Sequence, residues 1–129
     1  MINDRIVERK KIQKLEDIIA WQKARWVVDQ IYKLTSTDKF KRDFTLKNQI
    51  RRASISAMSN IAEGYARQTD REFIHFLYIA RGSAFEMQSQ LYVSLDLGYT
   101  SNEDFERLYE STSEISRLIM GLIKYLKNK

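Results

Sequence analysis

Residues 101–127 read SNEDFERLYESTSEISRLIMGLIKYLK. Phe105, Leu108, Thr112, Ile115, Ile119, Leu122 and Leu126 recur at alternating spacings of three and four, the period that lays side chains along one face of an α-helix. Ser101, three residues ahead of Asp104, supplies an N-cap and a first-turn acid. A helix with one apolar stripe and a charged remainder is stable only when that stripe is covered. The fold therefore depends on whether the chain supplies further helices to cover it.

Moving toward the N-terminus, three more segments carry the same period. Thr69-Asp70-Arg71-Glu72 fits a capping box and opens a helix that Gly98 closes as the residue past its C-cap. Its core stripe is Phe73, Leu77, Ala80, Ala84, Met87, Leu91 and Leu95, with a lateral stripe of Ile74, Tyr78, Phe85 and Tyr92 beside it. Asp43 is the expected N-cap of a helix reaching about Ala66, whose stripe is Leu46, Ile50, Ala53 and Ala57. Small side chains dominate it from Ala53 to Gly64 and let a neighbouring backbone approach closely. Ala20, Ala24, Val27, Ile31 and Leu34 mark a first helix over Glu16 to Ser36. The second and third connections are about four residues long, which makes successive helices antiparallel neighbours. The expected fold is all-α, an up-down-up-down antiparallel four-helix bundle over residues 15–129, preceded by a charged N-terminal arm at 1–14.

Composition agrees with this. The chain has 129 residues, 43% hydrophobic and 30% charged, with no Pro and four Gly, a profile of one globular helical domain rather than a disordered chain. No apolar run approaches the roughly 18–20 residues of a membrane span, and the first residues carry no secretory h-region. A cytoplasmic protein without a membrane partner is the expectation. No Cys and a single His exclude disulfides, thiolate chemistry and a multi-histidine metal site within one chain.

The search for chemistry returns isolated fragments. Glu72-x-x-His75 has the spacing of one half of a di-iron carboxylate motif, but such a site needs two copies and two further glutamates. Ser36-x-x-Lys39 has serine–lysine spacing without the motifs that accompany it in acylating enzymes. No Gly-rich phosphate loop is present. The expectation is no metal, no cofactor and no enzymatic activity.

Charge is more informative. The net +5 is local, with +3 in residues 1–14 and +5 in residues 33–52. Lys39, Lys41 and Arg42 lie in the first connection, Lys47 and Arg51 share a helix face at i, i+4, and Arg52 projects about 100° further round. Together they make a basic edge suited to phosphate contact without base reading. Asn60 falls on the stripe of Ile50, Ala53 and Ala57 and is expected to be buried, bonding to another helix or a water. Glu63 precedes Arg67 in the favourable order for a helix ion pair and is expected to be partly buried in a structural role. The lateral stripe of Ile74, Tyr78, Phe85 and Tyr92 makes the apolar face wider than a lone bundle requires, and is the expected oligomer interface.

Four blocks in order carry a family resemblance: Leu15-Glu16-Asp17-Ile18-Ile19-Ala20-Trp21-Gln22-Lys23-Ala24, Leu46-Lys47-Asn48-Gln49-Ile50-Arg51-Arg52-Ala53, Asn60-Ile61-Ala62-Glu63-Gly64 and Ile79-Ala80-Arg81-Gly82-Ser83. They resemble the 23S rRNA intervening-sequence protein family over about residues 15–126. The resemblance implies an up-down bundle assembling as a ring-like homopentamer, and gives Gln49, Asn60, Glu63, Gly64, Gly82 and Ser83 as its motif positions. A distant relative, the accessory protein of diversity-generating retroelements, shares the pentameric bundle and binds nucleic acid and a reverse transcriptase. Ala57-Met58-Ser59 lacks a proline that often precedes the Asn-Ile-Ala-Glu-Gly block, and the first connection lacks a Phe-Pro step. The functional expectation is a non-enzymatic homo-oligomeric scaffold binding RNA or DNA backbone through the basic edge. The alternative is an interaction module docking a protein partner through Tyr78, Phe85 and Tyr92.

Overall fold

The computed structural model describes residues 12–129. Four α-helices follow two short connections and a longer one: α1 Ile19–Leu34, α2 Phe44–Tyr65, α3 Asp70–Asp96 and α4 Asn102–Lys127, with 3₁₀ turns at Leu15–Asp17 and Phe40–Arg42. No strand occurs among the described residues. Each helix packs against its chain neighbours, and α1 returns to α4 to close the square. This is an antiparallel up-down-up-down bundle.

The caps follow local chemistry. Asp43 accepts from the Leu46 amide at 3.0 Å, Thr69 from Glu72 at 3.2 Å and Ser101 from Asp104 at 3.1 Å, each satisfying an amide that the first helical turn leaves without a partner. The capping box at Thr69 differs in one detail. The Glu72 carboxylate accepts the Thr69 hydroxyl at 3.0 Å rather than reaching the Thr69 backbone. At the far end of α3, Gly98 takes φ +75°; its amide bonds to Leu95 O and that of Tyr99 to Ser94 O, the Schellman pattern that glycine permits.

The start of α1 departs from expectation. Its helix begins at Ile19 rather than Glu16, because Leu15–Asp17 form a 3₁₀ turn and Ile18 adopts extended backbone. Ile18 is fully buried there, so an apolar anchor outweighs local helix propensity. The helix also stops at Leu34, where the hydroxyls of Thr35 and Ser36 donate back to Ile31 O and Tyr32 O at 2.8 Å. Of the expected arm at 1–14, residues 1–11 lie outside the described residues. Ile12 packs partly buried against the core, and the Gln13 amide donates to Asp17, so the folded body begins before residue 15.

The core contains the expected stripes. The large side chains Ile31, Ile50, Ile61, Leu77, Met87, Leu91, Leu108, Ile115 and Ile119 are fully enclosed, each contributing roughly 1.5–3 kcal/mol by leaving water. Thr112, within the α4 stripe, donates to Tyr109 O at 2.7 Å and is thereby satisfied inside its own helix. The closest seam is α2 against α3. A Cβ on Gly64 would stand 2.8 Å from Phe76 Cβ and 2.9 Å from Phe73 Cδ1, so the run of small residues ends where α3 approaches most tightly.

The connections at one end of the bundle are tied together. Phe40 is buried with its ring 5.1 Å from that of Tyr99, and Tyr99 donates to the second oxygen of Asp43 at 3.0 Å. That hydrogen bond to Asp43, with burial and the same negative charge nearby, raises the phenol above its ordinary value of 10.0. One aspartate thus caps α2 and anchors the α3–α4 connection to the first. This fixes the segment that carries the basic residues.

Candidate nucleic-acid interface

The fixed connection places Lys39, Lys41 and Arg42 at the bundle end, all exposed, with Lys47, Arg51 and Arg52 following on the first two turns of α2. Lys41 pairs with Asp38 at 3.6 Å. Among the described residues, Lys39, Arg42, Lys47 and Arg52 face no carboxylate partner. Lys39 Nζ lies toward Gly98, so its charge extends the edge to the α3–α4 connection.

Arg51 has a different role from its neighbours. Its Nε donates to Thr35 Oγ1 at 2.7 Å, Nη2 donates to Ser36 Oγ at 3.3 Å, and its guanidinium carbon stands 4.2 Å from the Tyr32 ring centroid. It clamps the C-terminus of α1 to α2. A cation at that terminus is also favoured by the helix dipole. Lys47 Nζ in turn sits 4.6 Å from the centroid of Phe44, an exposed ring on the first residue of α2.

The outer side of α3 is the second candidate surface. Tyr78, Phe85 and Tyr92 are 41%, 48% and 50% exposed, at seven-residue intervals that keep them on one face. Ile74 does not join them; it is half-buried against the core, and Tyr92 also packs one side of its ring against Phe105 and Tyr109 of α4, at centroid distances of 4.8 and 5.8 Å. Instead Ile79, Val93 and Leu97 widen the exposed patch. Their heptad spacing was present in the sequence, but Glu86 interrupts the row. Gly82 lies among these side chains, and a Cβ added there would meet nothing within 4 Å.

The other motif positions separate into seam and surface. Ser83 is buried and shares a 2.8 Å hydrogen bond with Ser56 across the α2–α3 seam. Asn60 is half-buried rather than enclosed; its amide donates to Ser56 O at 2.9 Å and Ser56 Oγ at 3.0 Å. It therefore bonds within α2 and reaches α3 only through Ser56. Glu63 is exposed rather than partly buried and pairs with Arg67 at 3.3 Å. Gln49 is exposed and makes no side-chain hydrogen bond among the described residues. Two buried amides escaped the sequence analysis. Gln88 donates to Ser113 at 2.9 Å, linking α3 to α4, while Gln90 keeps its Oε1 without a donor among the described residues.

The fragments with catalytic spacing make local contacts. Glu72 holds Thr69 and stands 3.9 Å from Arg67, His75 lies edge-on to Phe76, and Ser36 accepts from Arg51. Among the described residues, no cluster of three metal-ligating His, Asp or Glu side chains occurs. A cleft of about 220 Å³ at the opposite end, lined by Tyr65, Phe73, Tyr125 and Leu126, has Arg67 and Lys129 at its rim paired to acids. No helix of the described residues is long and apolar enough to cross a membrane.

The pattern of the 23S rRNA-intervening sequence proteins matches residues 16–121. The chain belongs to that family. A solved structure of similar architecture, a protein of unknown function from the S23 ribosomal protein family of Bacteroides thetaiotaomicron, is 27% identical. The similarity covers 82% of this chain and 99% of that one, with a TM-score of 0.75. No match was found among curated proteins. In this member of the 23S rRNA-intervening sequence family the seam residues Gly64 and Ser83 have a packing reason, whereas Gly82 has none among the described residues.

Proposed function

We propose that the protein is a non-enzymatic, homo-oligomeric four-helix scaffold that binds the phosphate backbone of RNA or DNA with little sequence preference. The observation that carries this reading is the unneutralised basic edge, where Lys39, Arg42, Lys47 and Arg52 are held on a rigid end of the bundle without facing acids among the described residues. Assembly uses the exposed α3 face of Tyr78, Phe85 and Tyr92, and a homopentamer is the order of assembly that the resemblance implies. Repeating the edge around a ring multiplies its field and its avidity without any new contact.

The test follows from the geometry of Arg51. Reversing its charge would also break the clamp on α1, so the informative variant is R42E/K47E/R52E. Its affinity for an rRNA fragment is expected to fall, and the slope of log affinity against log salt to flatten by about 2 to 3 for three lost phosphate contacts. Unchanged binding by the folded variant rules the edge out. The second reading, protein docking through the α3 face, is favoured by the same exposed rings. It prevails if a protein partner persists in nuclease-treated lysate while the purified oligomer ignores RNA at low salt.

A further inference from the structure

The flank where α1 meets α2 presents rings together with its cations. Phe44 is 67% exposed, a large apolar ring at the first position of α2, outside the hydrophobic core. Lys47 covers one of its faces at 4.6 Å, which leaves the other open. Tyr32, exposed near the end of α1, carries the Arg51 guanidinium at 4.2 Å, and the bonds from Arg51 to Thr35 and Ser36 hold that cation in place. Trp21, half-buried, continues the row about 16 Å back along α1, with Arg25 at 5.9 Å from its ring.

We propose that this flank takes a single-stranded nucleic acid, with bases stacking on Phe44 and Tyr32 while Lys47, Arg51, Arg42 and Arg52 hold the phosphates. The inference rests on the backbone-binding reading above and narrows its ligand to an unpaired strand. A duplex hides its base faces inside the stack and offers these rings nothing, whereas an unpaired strand brings a π-face with each phosphate, which is the pairing that cation-bordered aromatic platforms bind. Charge complementarity supports the same occupant. The acids on this flank are engaged: Asp29 with Lys33 at 3.0 Å, Asp38 with Lys41, and Asp43 with the Leu46 amide and Tyr99. Cations outnumber these acids along the flank, which leaves a net positive charge for a polyanion.

The experiment measures binding of a short unstructured single-stranded RNA, and of a duplex of equal length, to the full chain in its native assembly at low salt. In F44L/Y32L, which keeps apolar bulk and removes both rings, affinity for the single strand is expected to fall about 10-fold or more and for the duplex to stay within about 2-fold. F44W, which keeps a ring at this position, is expected to bind the single strand as the wild type does. Circular dichroism confirms that each variant is folded. Wild-type affinity of F44L/Y32L for the single strand, or equal losses toward both ligands, overturns the stacking inference. If R42E/K47E/R52E meanwhile loses both ligands, backbone binding stands without stacking; if the wild type binds neither, both readings fall together.

Discussion

Gly64 and Gly82 are both internal to helices, and both fall in the family blocks, yet they stand in opposite surroundings. At Gly64 the α3 side chains and backbone leave no room for a Cβ, while at Gly82 a Cβ would enter open space. A glycine within a helix costs about 0.5–1 kcal/mol relative to alanine. The α2–α3 seam offsets that cost by close packing inside the chain. On the outer face of α3 no contact among the described residues offsets it; in the proposed assembly, a second copy seated on the neighbouring exposed rings would. The contrast teaches that a residue type has no fixed meaning; its meaning lies in what approaches it.

The largest expected effect is on association. Y78E/F85E places charge in the centre of the outer patch and should weaken assembly by more than about 2 kcal/mol, the scale of interface hot spots. Light scattering then reports the mass of one bundle with helicity retained. A wild-type chain that is already a concentration-independent monomer breaks the comparison at once. Next is G64A, expected to destabilise the fold by about 1–3 kcal/mol through overpacking, read as a lower denaturant midpoint. Should G64A instead be neutral, the seam yields more easily than its distances indicate.

R51A is expected to cost about 1–2 kcal/mol, through two hydrogen bonds and the stacking on Tyr32. Chemical denaturation measures it, and R51K should not restore the loss because an ammonium lacks the planar fork. The smallest effect sharpens the contrast most. G82A is expected to stabilise the isolated bundle by about 0.5–1 kcal/mol while lowering assembly affinity. The two readouts separate a glycine kept for the fold from one kept for a neighbour.

Much of the fold was legible because its determinants are local. Asp43, Thr69, Ser101 and Gly98 each act within a few residues, and the apolar stripes report burial directly. The start of α1 was not, because Ile18 is drawn out of helix by the core it enters, which no local pattern states. Arg51 read as a surface cation for the same reason: its partners Thr35 and Ser36 lie across a connection and meet it only after α1 and α2 pack. Asn60 and Glu63 shared a stripe or neighbourhood with buried residues, but the α2 face broadens toward water at their positions. Of the lateral stripe on α3, Tyr78, Phe85 and Tyr92 are exposed while Ile74 is half-buried against the core, a difference that the shared helical spacing does not state.

The order of packing around the square also governs how the chain acquires its shape. Since α2 meets α3 across a four-residue turn and α3 meets α4 across five residues, these neighbours are close in sequence, and the α1–α4 closure joins the most distant helices. Such a topology favours rapid folding. During synthesis the α2–α3 hairpin can form before α4 has emerged, and α4 then closes the bundle against α3 and α1.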